Sequence, residues 1–192
     1  MLDLAALVGK AGLAPHVFMA WGQLGDAAFG HPSTSDGIAS SSPYRHLLTR
    51  VAGGLAGRGV CGFVMLNPSV ADHDQNDNTI RRTIGYATAW GYADLIIGNA
   101  FAFRSTSPKP LRGMLASAAI GAYNDLAIAA IARVCDLVVC GWGNHGATHG
   151  RGDQVLRILR DNGATPHALR ITGAQQPEHP LYLPKALRPV PL

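Results

Sequence analysis

The chain has 192 residues, of which 47% are apolar and 15% charged. That composition builds one domain with a buried core and excludes a disordered chain. Thirteen Arg and three Lys outweigh eleven Asp and the single Glu, Glu178, giving a net charge of +4 and a pI near 9.2. The balance is compatible with a polyanionic partner without requiring one. The Arg excess suits bidentate phosphate contacts, and a GC-rich genome would produce it equally well.

No apolar run reaches the ~18 residues that span a bilayer. The opening MLDLAALVGKAGLAPHVFMAWG has no basic segment before its apolar stretch, so no membrane span and no secretory signal are expected, and the cytoplasm is the expected location. Cys61, Cys135 and Cys140 cannot make an even disulfide set, lack CxxC spacing and fall one short of a four-thiolate metal site. They read as structural thiols of a reducing compartment.

Residues 1–42 end in the Gly/Pro/Ser-rich GHPSTSDGIASSSP and read as an N-terminal extension packed on a single domain of residues 43–192. YRHLLTRVA has strand-like spacing, GGLAGRG is a turn, and CGFVML is a short apolar run of the buried-strand kind. A polar loop, NPSVADHDQND, leads to a helix with Ile80, Ile84, Ala87 and Trp90 on one face, capped by Asp77 or Asn78. ADLIIGNAF is a second buried strand, followed by the loop RSTSPKPL. A long Ala-rich helix spans LRGMLASAAIGAYNDLAIAAIARV, with a break expected near Gly121. DLVVCGW is a third buried strand, GNHGATHGRG a Gly-rich loop, DQVLRILRDNG a helix, PHALRIT a fourth strand and QQPEHPLYLPKALRPVPL a Pro-rich tail.

Alternating strands and helices predict an α/β domain with a mainly parallel sheet. Ligands of such sheets sit at the carboxyl ends of the strands. Four polar segments follow the apolar strands: Asn67 to Ser69, Asn99 to Arg104, Gly141 to Gly152 and Gln175 to Leu183. One crevice lined by all four is the expectation.

Gly141-Trp142-Gly143-Asn144-His145-Gly146 fits G-x-G-x-x-G, but only 46 residues follow it, too few for a mononucleotide-binding half. No acidic residue closes a strand about 20 residues on. No P-loop, H-E-x-x-H or G-x-S-x-G occurs. His145 and His149 lie among glycines, where a four-residue spacing implies no shared face. No metal and no cofactor are expected. Asn67, at a strand end before Pro68, can hold a water through its carbonyl while its NH2 donates elsewhere. Asn99 can read the edge of a heterocycle, because an amide donates and accepts side by side. His179 can stabilise a developing oxyanion.

The order of these pieces resembles the uracil-DNA glycosylase superfamily: Met65-Leu66-Asn67-Pro68, then a strand ending at Asn99, then Val138 to Asn144, then His179-Pro180. The resemblance implies a three-layer αβα sandwich with a central, mainly parallel four-stranded sheet. It implies a DNA glycosylase that hydrolyses the N-glycosidic bond of a uracil-type or modified base. On that pattern Asn67 positions the water, Asn99 reads the flipped base, His179 contacts its oxygen and Leu181 wedges the duplex. The stretch Asp72 to Arg82 has no counterpart in that pattern, and Asp72 or Asp77 is the separate candidate for base or cation stabiliser. Pro68, Ser69, Phe101, Trp142 and Asn144 are the further base-binding candidates, and Arg81, Arg82, Arg104 and Arg151 the phosphate contacts. The small Ser69 leaves room for a 5-substituent. The implied partner is DNA carrying a damaged or modified base, bound by a monomer.

A closer likeness is to a family of small uncharacterised bacterial and phage proteins. It rests on Tyr44 to Arg50, Leu66 to Asp72, Asp77 to Arg82, Gly91-Tyr92, Asn99 to Pro108 and His179 to Leu183. That likeness implies no function. Two other readings therefore stand beside the glycosylase: a nucleic-acid- or nucleotide-binding accessory that breaks no bond, and a hydrolase or transferase of free nucleotides.

Overall fold

Short, β-branched runs with no polar face can sit only in the middle of a sheet covered on both sides. A computed structural model describes residues 43–69 and 76–192 and places these runs so. Strand β1 is Leu47–Val51, β2 Val60–Met65, β3 Asp94–Asn99, β4 Leu137–Gly141, β5 Pro166–Ala168 and β6 Val190–Pro191. The sheet order is β1-β3-β2-β4-β5-β6. β3, β2, β4 and β5 run parallel, while β1 and β6 pair antiparallel at the two edges.

The four expected parallel strands are therefore present within a mixed sheet of six. The antiparallel edges are the correction to a four-stranded sheet. β1 pairs with β3 from Asp94 to Gly98, and β6 is two residues of the Pro-rich tail. The fourth strand is shorter than PHALRIT suggests: it ends at Ala168, and the chain turns back to bridge Ile171 with Pro177.

Helix α1 (Asn78–Ala89) begins where Asp77 accepts a hydrogen bond from the Ile80 amide, a side-chain N-cap. The long Ala-rich segment is three helices, α2 (Lys109–Gly113), α3 (Ala116–Ile120) and α4 (Asn124–Val134). It breaks at Gly121, as expected, and also at Met114, where the backbone is extended. The Gly-rich loop after β4 forms 3-10 turns over Asn144–Gly150 before α5 (Arg151–Asp161). A last 3-10 turn covers Pro180–Tyr182.

Strand alternation divides the core in two. Cys61, Phe63, Met65, Leu95 and Ile97 face α1, with Phe63, Tyr86 and Trp90 stacked at centroid distances of 5.2–6.5 Å. Val64, Ile96, Val138 and Cys140 face α4 and α5 through Ile128, Ile131, Val155 and Leu159. The three cysteines are free, and burial pushes their thiols up. Among the described residues no helix is long and apolar enough to cross a membrane. The N-terminal extension, residues 1–42, lies outside the described residues.

The approach of α4 to β2 depends on Gly62. A Cβ there would lie 2.9 Å from both Ile131 Cγ2 and Cys135 Sγ. Gly62→Val is expected to lower stability by about 1–3 kcal/mol through overpacking. Urea unfolding checks this, and adding Ile131→Val should recover part of the loss.

Candidate functional site

Parallel pairing sets β2 and β3 in a register that aligns Met65 with Asn99. The chain continues the ladder past both strand ends: Ala100 N–H donates to Met65 O, and Phe101 N–H to Leu66 O. Asn67 and Asn99, 32 positions apart in sequence, therefore emerge side by side. They line a cavity of about 200 Å³ together with Arg45, Ser69, Asp77, Thr79, Ser105, Thr106 and His179, floored by Met65, Leu66 and Ile80.

The two amides differ. The Asn67 NH2 donates to Ser105 O at 2.7 Å and Pro68 O at 3.1 Å, which leaves its Oδ1 as the group that can accept. Asn99 is 1% exposed, and neither its Oδ1 nor its Nδ2 has a hydrogen-bond partner among the described residues. Each such buried group costs about 1–3 kcal/mol until something bonds it. The backbone around Asn99 is fully held, since Asn124 Nδ2 donates to both Asn99 O and Ala100 O and Arg151 Nε donates to Ala100 O. The empty valences belong to the side chain alone.

His179 reaches the cavity from the far side. Gly143 N–H donates to Pro177 O, Glu178 N–H donates to Arg170 O, and Arg170 grips the Glu178 carboxylate with two N–H groups. A Cβ on Gly141 would lie 2.9 Å from Pro180, so the glycine at the end of β4 lets this loop close over the strand end. His179 Nδ1 accepts from the Leu181 amide, which leaves the proton on Nε2. Burial lowers the His179 pKa, and the Asp77 charge pulls it back up.

Of the four strand-end segments, three meet at the cavity. The Gly141 to Gly152 loop does not line it. Trp142 is buried in the core against Gly146 and Gly152, and its indole donates to Gln176. Phe101 is likewise core, edge-on to His149. Asn144 accepts from Thr172 on the surface. These three support the loop behind the site and do not reach the cavity, although the sequence marks them as base-binding candidates.

Arg151 departs furthest from its sequence reading as a phosphate contact. It is 1% exposed, with every branch committed to Ala100 O, Gln154 or Asp125. A guanidinium is the longest polar side chain available and satisfies carbonyls deep in an interior as readily as phosphates. Arg104 is half-buried and lines neither this cavity nor the groove below; its Nη1 has no hydrogen-bond partner among the described residues. Arg81 and Arg82 line a separate groove on α1 with Leu181. At the 3-10 turn Leu181 is half-buried and Tyr182 is 87% exposed, so Tyr182 is the side chain that projects. Asp72 and Asp74 lie outside the described residues. Pro68 is buried between Asn67 and Ser69 and is not part of the lining.

Arg45 was not singled out from the sequence as a site residue. Its amide donates to Ala102 O, and Tyr44 bridges Phe103, so the chain entering β1 crosses the mouth of β3. Only this antiparallel return brings the buried Arg45 to the cavity. Among the described residues no group of three or more His, Cys, Asp or Glu could hold a metal.

The domain is α/β, with a small polar cavity at the carboxyl ends of its parallel strands. Over residues 45–181 the chain matches the family described as "Protein of unknown function (DUF1643)", and it belongs to that family. No curated protein and no solved structure matches it significantly.

Arg151→Ala is expected to lower stability by about 2 kcal/mol or more, through the void left behind and the loss of one of the two donors to the Ala100 carbonyl. Denaturant unfolding checks this. Burial holds His46 and His179 below the ordinary 6.5, opposed at His46 by the Asn124 amide. The unfolded chain therefore binds the extra protons first. Stability is expected to be full above about pH 6.5 and to fall as pH drops through the lowered folded-state values. Melting temperatures from pH 7.5 to 5 check the trend, with a shallower fall in His179→Gln.

Proposed function

We infer that the protein is a DNA glycosylase acting on a uracil-type or 5-modified base. The observation that carries this reading is the Asn99 amide, buried with donor and acceptor both empty beside a 200 Å³ cavity. Specific ligand sites for whole drug-sized molecules run to about 300–1,000 Å³, so this one suits a single heterocycle entering from a longer molecule. A pyrimidine edge offers a donor next to an acceptor, and an extruded nucleotide delivers it.

The remaining groups suit bond cleavage. As the glycosidic bond breaks, its electron pair leaves with the base and C1′ becomes an oxocarbenium-like cation. The Nε2–H of His179 is the donor for the base oxygen that gains charge. Asn67 Oδ1 holds the water that adds to C1′. Asp77 is the one carboxylate among the described lining residues. It stabilises the cation and takes the water's proton, which the departing base finally receives. Ser69 leaves space beside the ring for a 5-substituent. The αβα arrangement of the glycosylase superfamily accords with helices on both faces of the sheet.

The same amide would also serve a reader that breaks no bond, and one experiment separates the two. Oligonucleotides with uracil, hypoxanthine or 5-hydroxymethyluracil, in single strands, duplexes and mismatches, are incubated with protein and treated with alkali. Strand breaks are expected at uracil and at 5-hydroxymethyluracil, falling about a hundredfold or more in Asn67→Ala. DNA binding without a break on any substrate would replace the enzyme by the reader. Cleavage of uracil DNA with every 5-substituted analogue spared would remove the 5-modified specificity.

A further inference from the structure

Asn78, Arg81, Arg82, Gly85, Tyr86 and Ala89 recur at helical spacing and form one stripe along α1. The stripe is one wall of a groove of about 580 Å³, and Leu181 and Lys185 form the other. The walls are fixed to each other. Arg82 Nε donates to Leu181 O at 3.2 Å, and the Tyr86 hydroxyl bonds Leu183 O at 3.1 Å and Pro184 O at 2.9 Å. The groove is thus preformed.

Its chemistry is divided. Three cations stand along it and no carboxylate lines it among the described residues, while Gly85, Ala89 and Leu181 give an apolar floor beside the buried Tyr86. Phosphate with an apolar planar ring matches that division. The groove also lies next to the cavity. Asp77 lines the cavity and Asn78 the groove, one chain step of about 3.8 Å apart. On the other side His179 and Leu181 flank the same turn.

The geometry points to this groove as the site of the nucleotide next to the target base, in an unpaired strand. The inference rests on the reading of the cavity as a base site and names its substrate: a strand of at least two nucleotides, not a free nucleotide and not a duplex. The phosphate joining the two nucleotides meets Arg81, Arg82 and Lys185, and the neighbouring base lies against Leu181 and the Gly85–Ala89 face of α1. A base still paired and stacked in a duplex cannot enter the cavity as a whole ring.

Thymidine oligomers test this by fluorescence anisotropy with a labelled pentanucleotide, competed by the mononucleotide, the dinucleotide and a blunt hairpin duplex. The dinucleotide is expected to compete at least tenfold better than the mononucleotide, and the single strand better than the hairpin. Arg81→Gln and Lys185→Gln change exposed side chains, and their folding is verified by thermal unfolding. Each is expected to weaken pentanucleotide binding about three- to tenfold and to lower the salt slope by about 0.7. Unchanged affinity and slope in the double variant would overturn the inference, as would equal or tighter binding of the hairpin. The two proposals fail separately. Base release with unaltered binding in the groove variants removes the groove alone, whereas groove-dependent binding without base release removes the glycosylase alone.

Discussion

The carbonyl groups just past β3 must be satisfied in a dry interior, and that requirement organises this molecule. Arg151 comes from the first turn of α5 and Asn124 from the first turn of α4, and both donate to the Asn99–Ala100 backbone. The Arg151 charge is balanced by Asp125, which stays exposed to water while its partner does not. Two helices on one face of the sheet are thereby tied to the strand end that carries the candidate site. An unsatisfied buried carbonyl would cost as much as a sizeable part of a domain's net stability. The helices cannot drift without incurring that cost.

A consequence is the contrast at Asn99. Its backbone is among the most firmly held parts of the domain, and its side chain has no hydrogen-bond partner among the described residues. Rigid main chain around an unsatisfied side chain is the arrangement expected where a ligand completes the hydrogen bonds, because the ordering cost has been met during folding. Asn67 follows the same logic differently. Its NH2 is bound to the loop and its oxygen is left over, so the side chain is oriented before anything arrives. The loop bearing His179 is fixed by the Arg170–Glu178 pair and by backbone bonds to Gly143, which gives the third side of the cavity comparable rigidity.

The Gly141–Gly152 segment illustrates how a motif misleads. Its glycines suggest a loop that lets backbone approach a ligand. In the fold they let backbone approach protein: Gly141 admits Pro180, and Gly146 and Gly152 receive the Trp142 indole. Arg151 misleads in the same way, since a sequence shows a basic residue after a glycine-rich loop and cannot show that the residue points inward. Both errors have one cause. Residue type states which bonds a group can make, and only packing states with what.

The amino-acid sequence carries the α/β class, the parallel inner strands, a side-chain cap on α1 from Asp77 or Asn78 and the break at Gly121. Those follow from local periodicity, side-chain capping and backbone freedom, which act over a few residues. It also determined that Asn67, Asn99 and His179 close strands or follow them, which in a parallel sheet is enough to gather them at one end. Tertiary structure alone decided the two antiparallel edges, the entry of Arg45 into the cavity, the burial of Arg151, Trp142 and Phe101, and the exposure of Tyr182 instead of Leu181. These depend on contacts between positions far apart in the chain, whose free energy comes from burial and from satisfying polar groups in the folded interior, and neither quantity exists before the chain folds.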